Sequence, residues 1–178
     1  AMDFMAASFS DLDDGVRVAA KFLKDKKIPF KDSVYYRIGM KNKDHDRNEE
    51  AVQSFKYLLD INPNYVDAPL ADIAMVEILI VQQKFDETQE QRYRVVKRYD
   101  KNSESVKNAE NAIRYAMLDI PQFHHARAAK LWKEGDLEGA KKEYGNAIQN
   151  YSAFLKRYAK EPSWDEYKVH INLALVYQ

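Results

Sequence analysis

The 178-residue sequence predicts an all-α protein, and three observations carry that prediction. Ala, Lys, Glu, Gln, Leu and Arg fill long stretches, while Gly and Pro number only five each. Apolar residues recur at helical spacing almost without interruption, with short breaks between runs. Nowhere do four or more β-branched or aromatic residues alternate with polar ones between turn signals, so no strand is expected.

The first helical run opens at Ser10, a plausible N-cap with Asp13 three residues on. It aligns Val16, Ala19, Ala20 and Leu23 on one stripe, and Pro29 closes it. Asp32 or Ser33 caps the next run, which ends at Lys43. The polar connection DHDRN then leads to a helix from Glu49 to Ile61, ahead of the turn at Asn62-Pro63. A second pair spans Asp67–Gln83 and Asp86–Asp100, joined at Lys84-Phe85. A helix from Glu104 to Ile120 follows and is stopped or kinked at Pro121. Gln122–Gly135 turns at Gly135-Asp136 into a long helix from Leu137 to Lys160, closed by Pro162. The last run takes Ser163 and Glu166 as a capping box and continues to Gln178.

Short helices joined by tight turns call for a test of self-similarity near a ~34-residue period. The first pair supplies Tyr35, Ile38 and Gly39, then Ala51, Phe55 and Leu58, then Pro63. A later pair supplies Ala128 and Leu131, then Ala140, Tyr144 and Ala147. Small residues let two helix axes approach while the aromatic fills the gap beside them. This pattern resembles the tetratricopeptide repeat, with departures. Asn42 stands where the family prefers an apolar residue. The middle repeat keeps Met75, Leu79, Phe85 and Val95 but places Thr88, Arg92 and Asp100 at the small, aromatic and proline positions, so its packing is expected to use Tyr93 or Val96. His170, Leu173, Ala174 and Tyr177 resemble the first helix of one more repeat.

The resemblance implies a solenoid of antiparallel helical hairpins, wound as a right-handed superhelix. It divides the chain into an N-terminal helical segment (1–31), repeats at 32–65 and 66–102, an extra helix at 103–120, a repeat with a long second helix at 121–162, and the first helix of a further repeat at 163–178. Such a chain reads as a fragment of a longer repeat protein.

Composition narrows function. Lys plus Arg and Asp plus Glu are both 28, leaving no net charge to hold polyanions, so nucleic acid is not an expected partner. Without Cys there is no disulfide framework, thiolate zinc site or Cys nucleophile. No apolar run reaches the ~18 residues that a membrane span needs, and the N-terminus lacks the basic region of a signal peptide. His124 and His125 point about 100° apart on a helix and do not chelate together, and His45 sits in a polar turn between Asp44 and Asp46. No phosphate loop, nucleophile elbow or SxxK motif is present. Neither catalytic residues nor a metal or cofactor site is expected.

What remains is a binding surface. In tetratricopeptide arrays the first helices line a concave face that receives peptides. The resemblance places there Tyr36, Met40 and Lys43, then Ile73, Glu77 and Ile80, then His125, Ala129 and Trp132. Tyr36 and Met40 replace the Lys and Asn with which some members grip carboxylate tails, so an apolar-plus-polar groove is expected instead. The endings RVVKRYDKNS and AFLKRYAKEP resemble those of bacterial cell-envelope repeat proteins and favour a periplasmic scaffold. The alternative is a regulatory or substrate-presenting segment of a larger enzyme. Self-association through the last helix, with Leu173, Val176 and Tyr177 exposed, is compatible with both.

Overall fold

A computed structural model of the chain describes residues 2–26, 28–99, 109–158 and 164–176. Among the described residues there are nine helices and no strand, as composition and periodicity predict. They are α1 (Met2–Ser10), α2 (Gly15–Leu23), α3 (Lys31–Asp44), α4 (Asn48–Ile61), α5 (Ala68–Val81), α6 (Phe85–Tyr99), α7 (Ala109–Glu134), α8 (Leu137–Tyr158) and α9 (Trp164–Val176). The expected turn at Asn102-Ser103, the helix start at Glu104, and the closing positions Pro162 and Ser163 lie outside the described residues. The helices fall into two compact units, with the boundary inside α6 between Gln91 and Arg92.

The first unit is built around α3 and α4. Tyr35 and Ile38 of α3 and Ala51, Phe55 and Leu58 of α4 are all fully buried. Gly39 explains how closely the two helices approach, because a Cβ there would stand 2.6 Å from Phe55 Cδ1. Ser54 adds a side-chain bond to the Tyr35 carbonyl at 2.7 Å. α5 packs on both α4 and α3. Its apolar run conceals Asp72, which is fully buried and accepts a hydrogen bond from Gln91 Nε2 of α6 at 2.7 Å.

The N-terminal segment departs from expectation. Ser10 does not open a helix; it ends α1, and its hydroxyl donates to the Ala7 carbonyl at 2.9 Å. α2 begins after Asp14, which adopts a left-handed conformation at φ 55°. Gly15 follows because its Cα lies against the Phe9 carbonyl, leaving no room for a Cβ. The stripe itself forms as predicted, with Val16, Ala19 and Leu23 buried. α2 ends at Leu23, short of Pro29. α1 packs on α3 and α2.

The second unit contains the rest of α6 and nearly all of α7, with α8 and α9. α7 runs through Pro121, so the helix expected to stop there and the one expected to follow it are one element. Proline removes a single ladder hydrogen bond, while buried Ile113, Ala116, Ile120 and Ala128 anchor the helix on both sides of that loss. The turn into α8 matches the sequence: Gly135 has φ 85°, and Asp136 Oδ1 accepts from the Gly139 N–H at 2.9 Å. Ala140 and Ala147 are buried at α8's small positions.

Middle-repeat packing differs from expectation. Tyr93 is substantially exposed and Val96 half-buried, while the buried face of α6 consists of Thr88, Gln89, Gln91, Val95 and Tyr99. Arg92, at the aromatic position, pairs with Asp119 of α7 at 2.7 Å. Burial pulls its guanidinium down, and Asp119 opposes that pull.

Of the positions expected to pack in α9, Leu173 does so, His170 and Ala174 are exposed, and Tyr177 lies outside the described residues. Val169, rather than His170, is buried, and Leu173 and Val176 turn onto the core formed by Ala147, Tyr151, Phe154 and Tyr158. Leu173 and Val176 are therefore covered by α8, since positions 169, 173 and 176 share one helical stripe. Ile171 and Leu175 are exposed large apolar residues among the described side chains of this helix.

Candidate functional site

The sequence-selected residues of the first unit lie on α3 and α5. Tyr36 and Met40 line a cleft of about 670 Å³ with Arg37 and Lys41 of the same helix. Asp3 of α1 closes one side and Tyr65 and Asp67, just ahead of α5, close another. Tyr36 sits in an aromatic corner, its ring centroid 6.2 Å from both Phe55 and Tyr65. The Tyr65 hydroxyl donates to Ser33 Oγ at 3.0 Å, fixing that wall. Burial, reinforced by the Asp67 charge, pushes the Tyr36 phenol up, so it stays a neutral donor and acceptor. Arg37 pairs with Asp3 across the cleft.

Lys43 and Glu77 face one another. Lys43 Nζ lies 3.0 Å from Glu77 Oε2, tying α3 to α5 at a partly exposed position. Ile73 is half-buried and Ile80 exposed, and neither lines the cleft. Structure thus brings Tyr36 and Met40 together, and Lys43 and Glu77 together. Arg37, Lys41 and Asp44 were missed although they share the Tyr36–Met40 face at helical spacing. Tyr65 and Asp67 arrive from a turn whose path no local pattern reveals.

In the second unit His125 and Ala129 line a smaller cleft of about 320 Å³ with Gln122 and Ala126 of α7, Tyr151 of α8 and Asn172 of α9. Trp132 lies farther along the same α7 stripe and is 60% exposed. Tyr151 was missed because an aromatic four residues after Ala147 reads as ordinary core, which its ring is.

The neighbouring histidines separate as helix geometry demands. His125 packs its ring near Tyr144 and Tyr151, at centroid distances of 6.0 and 6.5 Å. His124 instead joins a polar chain. Its Nδ1 lies 2.6 Å from Glu143 Oε2 and its Nε2 lies 3.0 Å from the Tyr93 hydroxyl. His124 is thus held between a carboxylate on one ring nitrogen and a phenol on the other. Asn150 Nδ2 donates to the same hydroxyl at 3.2 Å, and Arg127 stands 3.5 Å from Glu143. Burial pushes the Glu143 carboxyl up, but the hydrogen bond and charge of His124, with Asn146 and Arg127, outweigh it and hold the carboxyl below its ordinary value. Burial raises the Tyr93 phenol as well, against activation as a nucleophile. This chain ties α6, α7 and α8 together.

No protein-family model, curated protein or solved structure matches the chain.

Proposed function

We propose that the protein is a non-enzymatic scaffold of the tetratricopeptide class that binds a peptide or protein segment along the helices carrying the selected residues. The observation that carries this reading is the cleft at Tyr36 and Met40. It combines aromatic and thioether contact surface with neutral hydroxyls and a paired Arg37, the mixture that suits a side-chain-rich partner better than a small cofactor. The close α3–α4 packing at Gly39 and the glycine-aspartate turn before α8 support the repeat class. The two basic-aromatic helix endings support a bacterial cell-envelope setting. Binding energy comes from Tyr36 and Met40, while Lys41 and Asp44 at the rim set specificity and approach.

The test is substitution at the anchor. A Tyr36→Ala variant is expected to bind a partner recovered from the source organism at least about tenfold more weakly, with helical circular dichroism unchanged. Undiminished binding by that folded variant contradicts the proposal.

A further inference from the structure

In the first unit, α2 and the turn before it carry an exposed apolar seam. Leu12, Val18 and Phe22 are 50%, 40% and 48% exposed. The seam is continuous through Phe9: the Leu12 N–H donates to the Phe9 carbonyl at 3.2 Å, the Phe22 ring stands 5.7 Å from the Phe9 ring, and Val18 lies one turn before Phe22. Its two ends differ in charge. At the N-terminal end stand Asp11, Asp13 and Asp14, all exposed, against one cation, Arg17, which pairs with Asp14 at 2.6 Å. At the C-terminal end stand Lys21, Lys24 and Lys26, all exposed, against one carboxylate, Asp25. The ends thus carry equal and opposite net charge in a chain that is neutral as a whole. The helix dipole accounts for the order of those signs. It does not account for large apolar side chains left in water between them.

We propose that this seam is the interface of a homodimer in which two copies pack α2 antiparallel about a two-fold axis. The charge pattern selects a second copy. A partner of one sign meets attraction at one end of the seam and repulsion at the other, whereas a two-fold axis reverses the second seam and sets each acidic end on a basic one. An anionic membrane is disfavoured on the same ground, since Asp11, Asp13 and Asp14 would face it. The spacing agrees with the axis. Arg17 is the midpoint of Leu12 and Phe22 in sequence, so an axis beside Arg17 and Val18 lays Leu12 on the partner's Phe22. The same axis brings Asp13 and Asp11 opposite the partner's Lys21 and the partner's Lys24. Lys26 Nζ stands 4.5 Å above the Phe22 ring and rims this contact. Two faces of this length bury little area, so the dimer is weak, concentration-dependent and sensitive to salt. Leu12, Val18 and Phe22 do not line the Tyr36 cleft, so the dimer and the scaffold reading are tested separately.

The test is sedimentation equilibrium of the intact chain beside two charge-reversed variants, Asp11→Lys with Asp13→Lys, and Lys21→Glu with Lys24→Glu. The parent is expected to show a monomer–dimer equilibrium whose Kd rises at least about threefold between about 0.05 M and about 0.5 M salt. Each variant alone sets like charges together at both ends of the seam. It is expected to dimerise at least about tenfold more weakly than the parent, with helical circular dichroism unchanged. Mixed in equal amounts, the two variants are expected to form a heterodimer, because one then carries two basic ends and the other two acidic ends. Val18→Glu, at the exposed centre of the seam, is expected to weaken the parent dimer at least about tenfold. A parent that stays monomeric up to about 1 mM, at the weak limit of specific association, overturns the proposal. So do variants that dimerise as well as the parent, undiminished dimerisation by Val18→Glu, or a mixture without heterodimer. A parent that is monomeric alone but sediments with phosphatidylglycerol vesicles also overturns it and assigns the seam to a membrane surface.

Discussion

Glu143 shows how one carboxylate can hold several side chains. It receives His124 Nδ1 at 2.6 Å, and through His124 it orients the phenol of Tyr93. Because its carboxyl is held below the ordinary 4.5, the folded chain gains stability from its ionised form. That gain is present above the unfolded value and lost as pH falls through the lower folded one. Glu143→Gln is expected to cost about 1–2 kcal/mol at pH 7. Urea midpoints measured from pH 7 down to pH 3 check this, and the difference between variant and parent should shrink only below about pH 4.5. A difference independent of pH would assign Glu143 to packing alone. Little of this chain was legible in the sequence. His124, Glu143 and Tyr93 belong to three helices, and no spacing rule connects residues that tertiary packing brings together. Separation of His124 from His125 was legible, since it follows from helix geometry alone.

Gly39 and Phe55 decide how α3 meets α4. Gly39→Ala places a methyl group 2.6 Å from Phe55 Cδ1, and the ring cannot yield easily because Phe55 is fully buried. We expect a loss of about 1–3 kcal/mol from overpacking, despite the better helix propensity of Ala. Chemical denaturation measures it, and a stabilised variant would show that propensity wins and that the helices have room to separate. The elements most legible in the sequence were those whose local signals agreed. α3, α4 and the turn into α8 each combine periodic apolar residues with a glycine or cap in the expected place. Legibility failed where a local signal was outweighed. Pro121 reads as a stop or a kink, yet buried residues on both sides carry α7 through it as one helix. Ser10 reads as a cap, yet the preceding residues are themselves helical. Arg92 occupies a position that asks for an aromatic, and its pairing with Asp119 lies 27 residues away in sequence.

For the whole chain, helical class followed from composition and period, whereas the clefts depended on side chains arriving from separate elements. Carrying the tetratricopeptide resemblance over to α3 selected Tyr36 and Met40, and on α7 it selected His125 and Ala129. It could not find Asp3, Tyr65 or Asn172, which reach the clefts from other elements. It also selected Lys43 and Glu77, which pair with each other at a partly exposed position. Both units thus present a cleft containing sequence-selected residues, and the scaffold reading requires that a partner use those faces in preference to the opposite surface. Site-specific photocrosslinking tests this most directly, with benzoyl-phenylalanine placed at Met40 in one chain and at exposed Lys56 of α4 in another. The account predicts that one protein partner is captured through position 40 and that its yield at position 56 is at background. Equal capture from both positions, or capture from position 56 alone, would contradict it.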